Sequence, residues 1–170
     1  TLAPAAHAAG LAFIDVPADA QGPALRGAVW SPCATPAAPI ALPPLMLQGV
    51  RDCPVAGSHL PLVVMSHGTG GSALGHHDTA QALADAGFVV AAVHHPGDNF
   101  QDLSRQAKLS AFTTRPEDMR RLVDYMLGRW PGRAALAPQW VGIFGFSRGG
   151  YTALALAGAQ PDWALRRDPC

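Results

Sequence analysis

Three uninterrupted apolar runs stand out along the chain: Leu60-Pro61-Leu62-Val63-Val64-Met65, Phe88-Val89-Val90-Ala91-Ala92-Val93 and Trp140-Val141-Gly142-Ile143-Phe144. Runs of this length without polar alternation suit strands buried on both faces, as in a parallel sheet. Between the first two lies a small-residue stretch, roughly residues 75–86, that reads as a helix closed by Gly87. Between the second and third, Met119, Leu122, Val123, Met126 and Leu127 recur at helical spacing. Thr114-Arg115-Pro116-Glu117 ahead of them has the form of a capping box with proline in the first turn, and places the helix start there. A last helix is expected over 151–159, stopping before Pro161. Strand, helix, strand, helix, strand, helix implies right-handed crossovers and an α/β architecture, a mostly parallel sheet with helices on both faces.

The first part of the chain reads differently. Residues 11–16 and 24–30 predict two short strands around a Pro/Gly turn, an opening antiparallel pair. Residues 31–59 carry Pro32, Pro36, Pro39, Pro43, Pro44 and Pro54 and are expected to be loop. Residues 1–10 are expected to lie outside the domain, which then runs over 11–170. Ala6-His7-Ala8 has the small-x-small form of a signal-peptidase site, but a charged start and a full apolar region are missing. Two readings stay open, an export-signal remnant of a periplasmic or secreted protein and an Ala-rich disordered end of a cytoplasmic one.

Composition narrows the function classes. Hydrophobic residues make up 49% and charged residues 14%, and the formal net charge is zero, which fits a folded domain and gives nucleic acid no basic surface. No apolar stretch is long enough to span a membrane. Glycine and proline, 18 and 16 residues, mark many tight turns. The three cysteines, Cys33, Cys53 and Cys170, include no CxxC pair, which argues against a metal site. Cys33 and Cys53 either bridge two flanks of the Pro-rich segment, as an exported protein would allow, or all three are free thiols.

The chemistry is concentrated at two strand ends. Gly145-Phe146-Ser147-Arg148-Gly149 has the G-x-S-x-G form of a nucleophile elbow between an expected strand and an expected helix. A serine held on so sharp a turn stands clear of the sheet, and side chains two positions away would strike neighbouring backbone, hence the glycines. The alternative is a Gly-rich turn with an idle serine. His67-Gly68-Thr69-Gly70-Gly71 ends an earlier strand on the same sheet edge, where small residues let backbone N–H groups approach a substrate carbonyl. The candidate oxyanion donors are the N–H groups of Thr69 and Arg148. His67 is expected to order its loop through hydrogen bonds rather than act as a base. The spacing His-Gly-Thr-Gly-Gly lacks the G-x-G-x-x-G of a dinucleotide site.

In order along the chain, Leu62 to Gly68, Phe88 to Gly97, Arg115-Pro116-Glu117-Asp118 and Gly145 to Leu154 resemble dienelactone-hydrolase-like proteins, bacterial α/β-hydrolases similar to platelet-activating-factor acetylhydrolase. The resemblance covers about residues 11–165. It implies an esterase- or lipase-type activity on small-molecule or lipid carboxylic esters without a cofactor, with Ser147 as nucleophile and Thr69 and Arg148 as oxyanion donors. Arg148 departs from the small or apolar residue usual after the nucleophile. In this fold the triad acid and histidine follow the serine. All seven histidines precede Ser147, and Asp162 and Asp168 are not set off from it by a further strand. The expectation is a fold truncated after the nucleophile helix, with acid and histidine beyond Cys170 and the strand at 141–144 left as a bare edge. Rival readings are a non-catalytic binding protein on this fold and an acyltransferase or peptidase. The ester and the oligomeric state are not legible.

Overall fold

The computed structural model describes residues 8–162 of the 170. Its elements are β1 (Ala8–Val16), β2 (Leu25–Cys33), β3 (Ala38–Leu42), β4 (Leu45–Arg51), β5 (Leu60–Ser66), α1 (His77–Asp85), β6 (Val89–Val93), α2 (Ser110–Gly128), a short 3-10 turn (Arg133–Ala135), β7 (Leu136–Gly145) and α3 (Arg148–Leu156). Among the described residues the strands form a seven-stranded sheet in the order β3-β4-β1-β2-β6-β5-β7. β1 and β2 pair antiparallel, as expected of the opening strands, while β6, β5 and β7 run parallel.

Residues alternate between the two faces of β5 and β6, and both faces of these strands are covered. Leu62, Val64, Val89, Ala91 and Val93 pack against Met119, Leu122 and Met126 of α2. Val90, Ala92 and Met65 pack against Ala80 and Ala84 of α1 on the opposite face. This is why those strands read as unbroken apolar runs. The small residues of α1 let it lie close to the sheet, and it ends as expected at Gly87, which sits at φ +96°.

Five expectations are corrected. β1 begins at Ala8, and Ala8 and Ala9 are buried, so residues 8–10 belong to the sheet; residues 1–7, with most of the signal-like segment, lie outside the described residues. Residues 31–59 are not all loop. β2 continues to Cys33, past its last pair with β6 at Trp30↔Val90, and β3 and β4 form an antiparallel hairpin. The prolines sit where no ladder donor is required: Pro39 is in the edge strand, and Pro43 and Pro44 make the turn, joined by a cis peptide. The T-x-x-E sequence does not start a helix. α2 begins four residues earlier, Thr114 lies inside it, and Pro116 is interior. Tertiary contacts extend the helix backwards: Ala111 and Arg115 are buried, and the Phe112 ring packs edge-on against Tyr151. Finally, β7 starts at Leu136, with a register break against β5 between Leu60 and Leu62 that accommodates Pro138, and α3 begins directly after Ser147.

Cys33 and Cys53 form a disulfide, with Cα atoms 6.0 Å apart, that ties the end of β2 to the segment after β4; Cys170 lies outside the described residues. β7 is an edge of the sheet and is largely exposed, with Trp140 at 57% and Val141 at 41%. No helix among the described residues is long and apolar enough to cross a membrane.

Candidate active site

The β5–β7 register brings Ser66 opposite Gly145, so the loop after β5 and the turn after β7 leave the sheet side by side. The two are in contact. A methyl group on Gly68 would lie 3.1 Å from the Phe146 ring and 3.4 Å from the Ser147 Cβ. Ser147 itself is at φ 53°, ψ −119°, a conformation that costs a non-glycine residue of order 1–3 kcal/mol and persists only where surroundings enforce it. The enforcement is visible. Phe146 N–H donates to the Ser66 carbonyl (3.2 Å), Gly149 N–H to the Phe146 carbonyl (2.7 Å) and Gly150 N–H to the Ser147 carbonyl (2.9 Å). A Cβ at Gly145 would come within 2.0 Å of the Gly149 carbonyl, and one at Gly149 within 1.9 Å of the Ser66 carbonyl. The two glycines of the motif are thus sterically required. Ser147 is exposed and sits at the N-terminal end of α3.

Among the described residues the N–H groups of Thr69 and Arg148 donate to no acceptor. The loop that carries Thr69 is braced by Gly71 N–H to the Gly68 carbonyl (3.1 Å) and by a left-handed Gly70 at φ +63°. His67 has the ordering role expected of it. It is buried, its Nδ1–H donates to the Gly68 carbonyl (2.7 Å), and its Nε2 accepts from the His95 N–H (3.3 Å), which fixes the neutral tautomer. Burial, seconded by nearby His95, holds its pKa at about 3.

Beneath this edge lies a buried polar network. Its main members, His95, Asp98, Arg115 and Asp118, were not among the expected site residues. The Asp98 carboxylate, 1% exposed, accepts from Gly70 N–H (2.9 Å), Arg115 Nη1 (3.2 Å) and Arg148 Nη1 (2.8 Å). Arg148 also donates to the Gln106 carbonyl (2.8 Å) and lies over the Phe112 ring. Its side chain is therefore tied down beside the turn. Arg115 donates to the His67 carbonyl and to Ser66 Oγ. Burial lowers its pKa to about 10, against the opposing pull of Asp98, so it stays cationic at neutral pH.

Ser66, His95 and Asp118 continue the chain. Ser66 Oγ lies 2.9 Å from His95 Nε2, and His95 Nδ1 lies 2.9 Å from Asp118 Oδ2. Burial, followed by Arg115, keeps His95 well below its ordinary pKa. Burial also pushes Asp118 up to about 7, opposed by Arg121 and Arg115. The sequence held one signal for this network. Arg115, Asp118, Met119 and Leu122 share the i, i+3, i+4, i+7 face, and charges on an apolar face imply buried partners.

No histidine is hydrogen-bonded to Ser147 among the described residues, and no three metal-ligating side chains among them cluster. A cleft of about 820 Å³ lies elsewhere, against β1 and the end of α2, and shares no lining residue with the Ser147 turn.

Residues 57–166 match the family model Hydrolase_4, described as serine aminopeptidase, S33. The chain is 33% identical over 120 residues, 69% of its own length, to a protein of Nocardia uniformis subsp. tsuyamanensis named "Putative esterase NocK". It spans about a third (34%) of that relative. Among solved structures it is similar to a ferulic acid esterase from Streptomyces cinnamoneus (TM-score 0.70, 22% identity, 92% of this chain and 56% of that one). It is also similar to the dienelactone-hydrolase-like promiscuous phosphotriesterase P91 from metagenomic libraries (TM-score 0.59, 18% identity, 88% and 54%). A third is the acetyl xylan esterase of Paenibacillus sp. R4 (TM-score 0.52, 19% identity, 81% and 41%). At these identities the structural likenesses establish the fold.

Proposed function

The chain belongs to the Hydrolase_4 (serine aminopeptidase, S33) family and has the α/β-hydrolase fold, and from that premise we propose that the full-length protein hydrolyses small-molecule or lipid carboxylic esters through an acyl-enzyme on Ser147. The observation that carries the reading is the enforced left-handed turn at Ser147, set between β7 and α3 and touching the Gly68 loop. A strained serine held exposed at a helix N-terminus, beside two amides without acceptors, has the parts that acyl transfer needs.

In this mechanism the Ser147 hydroxyl attacks the ester carbonyl. The carbonyl oxygen takes up the negative charge and is held by the N–H groups of Thr69 and Arg148. A histidine, oriented by an acid, accepts the serine proton and returns it to the departing alcohol; water then releases the acid product. We place that histidine and acid in chain that follows Cys170 and packs along β7. The exposed apolar edge at Trp140 and Val141 and the absence of a histidine bonded to Ser147 among the described residues support this placement. An oxidising compartment, periplasmic or extracellular, is part of the proposal and is supported by the Cys33–Cys53 disulfide.

Ser147→Ala in the full-length protein should abolish turnover of an aryl ester; retained turnover would remove Ser147 from the chemistry. The family description favours one second reading, a peptidase using the same serine. Parallel rates on matched ester and amide substrates separate the two, and faster amide cleavage would favour the peptidase.

A further inference from the structure

We propose that Asp98 is a positioning residue for the oxyanion pocket: one buried carboxylate fastens the Thr69 loop to the first residue of α3, and so sets the two candidate donors relative to each other. This rests on the serine-hydrolase reading above.

The two amides belong to separate segments of chain, and the β5–β7 ladder that aligns those segments stops at Ser66↔Gly145. Beyond it, the side-chain link between them runs through Asp98. Its Oδ1 accepts the N–H of Gly70, the residue after Thr69; its Oδ2 accepts from the side chain of Arg148, whose own N–H is the second donor. Arg115, which also donates to Asp98 Oδ2, reaches the His67 carbonyl at the other end of the same loop. The loop is thus held on both sides of Thr69 by groups that share one carboxylate. Asp98 is 1% exposed, so solvent does not loosen the tie, and hydrogen bonds to a charged acceptor are the stronger kind. The geometry also accounts for an arginine after the nucleophile, because its side chain is an anchor between Asp98 and the Gln106 carbonyl.

Asparagine has nearly the same shape but one acceptor oxygen and one amide nitrogen. It cannot accept from Gly70 and from two guanidinium groups together; whichever way it turns, its NH2 faces a donor. Substitution therefore releases one side of the pocket while Ser147 remains in place.

The test uses the full-length protein and an aryl ester, with a boronic acid that forms a tetrahedral adduct on serine as the transition-state probe. For Asp98→Asn, kcat is expected to fall roughly 10- to 100-fold, below the loss of a whole donor. KM should stay within about twofold, and boronate affinity should fall by the same factor as kcat/KM. Arg148→Ala should give a smaller loss of the same kind, and Arg148→Lys should restore most of it. The Asp98→Asn/Arg148→Ala double variant should be no worse than about threefold below the poorer single variant, because both cut one tie.

A kcat for Asp98→Asn within about threefold of wild type overturns the inference, as does a loss of kcat that boronate affinity does not follow. If Asp98→Asn fails to fold, Arg148→Ala decides, since its side chain is 17% exposed and lies at the rim; wild-type kcat and boronate affinity in that variant overturn the inference. Turnover that survives in Ser147→Ala sinks the underlying hydrolase reading instead.

Discussion

The steric demand at the Ser147 turn predicts opposite outcomes for two adjacent glycines. Gly149 and Gly150 both lie in the first turn of α3, and neither has a positive φ. Conformational freedom is therefore not what either supplies. A Cβ at Gly149 would sit 1.9 Å from the Ser66 carbonyl oxygen and 2.9 Å from the His67 carbonyl oxygen. Relieving the first contact even to 3.0 Å, below which real Cβ atoms essentially never approach, requires α3 and β5 to separate by about 1.1 Å. Both sides of that contact are backbone, so no side-chain rotation relieves it. A Cβ at Gly150 meets its nearest atom, the Gly145 carbonyl oxygen, at 3.6 Å, ordinary contact.

Gly149→Ala is expected to lower stability by about 3 kcal/mol or more, the upper end of overpacking costs, because the strain falls on backbone. It should also lower kcat by about 100-fold, since displacement on the order of 1 Å at a reacting group has that effect. Gly150→Ala should be neutral or stabilising by up to about 1 kcal/mol, the usual gain of alanine over glycine within a helix. Urea unfolding midpoints and aryl-ester kinetics of the two full-length variants provide the comparison. Equal stability and activity in the two would refute the steric account of the turn.

Unfolding stability should rise with pH between about 3 and 6.5 through His67: burial lowers its folded pKa to about 3, so over that window the unfolded chain binds the extra proton. Asp118, raised to about 7 from 3.8, acts with the opposite sign between those values, and the lowered His94 and His95 reinforce His67; His67→Gln should flatten the slope of stability against pH, and an unchanged slope would remove His67 as its source. Opening the Cys33–Cys53 bridge, which spans 20 residues, should cost about 3 kcal/mol, read as a lower unfolding midpoint in Cys33→Ser/Cys53→Ser; a midpoint equal to wild type would show that the bridge adds nothing. The 170-residue chain taken alone should self-associate through its exposed β7 edge, and Val141→Lys should shift it towards monomer in sedimentation; a monodisperse unsubstituted chain would count against that.

The parts of this fold that were legible in the sequence are those fixed by local pattern or by a short motif. β5 and β6 are apolar because helices cover both faces of the sheet there, the end of β7 is equally apolar although it lies largely exposed at the edge, and Gly145-x-Ser147-x-Gly149 is readable because two backbone contacts allow nothing larger. The β3–β4 hairpin was hidden by its prolines, which an edge strand and a turn tolerate. The start of α2 was misplaced because the Thr114 to Glu117 signal is local, whereas Arg115 and Ala111 are held in the helix by partners elsewhere in the chain. Asp98 directly follows the Phe88–Gly97 segment and has no local pattern of its own. Its role exists only once Gly70, Arg115 and Arg148, up to 50 residues away, have converged on it.

The Ser66–His95–Asp118 chain puts the connectivity of a catalytic triad into a place where it cannot react. Its two links, 2.9 Å each, have the lengths that nucleophile, base and orienting acid require. What it lacks is access. Ser66 and His95 are 0% exposed and Asp118 is 6% exposed. Ser66 continues the β5 ladder instead of standing on a turn, and Arg115 donates to its oxygen, engaging a lone pair that nucleophilic attack would need. With His95 held neutral by burial, the donors run in one direction, Arg115 to Ser66, Ser66 to His95 and His95 to Asp118, while the buried Arg115 Nε is left without a partner among the described residues. The work of the network is to carry the strand end from which the Gly68 loop departs. Ser147 has the reverse attributes, an exposed position and a strained backbone. A fluorophosphonate probe distinguishes the two serines directly. In the full-length protein, peptide mapping should find the adduct on Ser147 and none on Ser66, and Ser147→Ala should abolish labelling while His95→Gln lowers stability. An adduct on Ser66 would mean that the buried network opens to solvent, and the assignment of roles between the two serines would have to be exchanged.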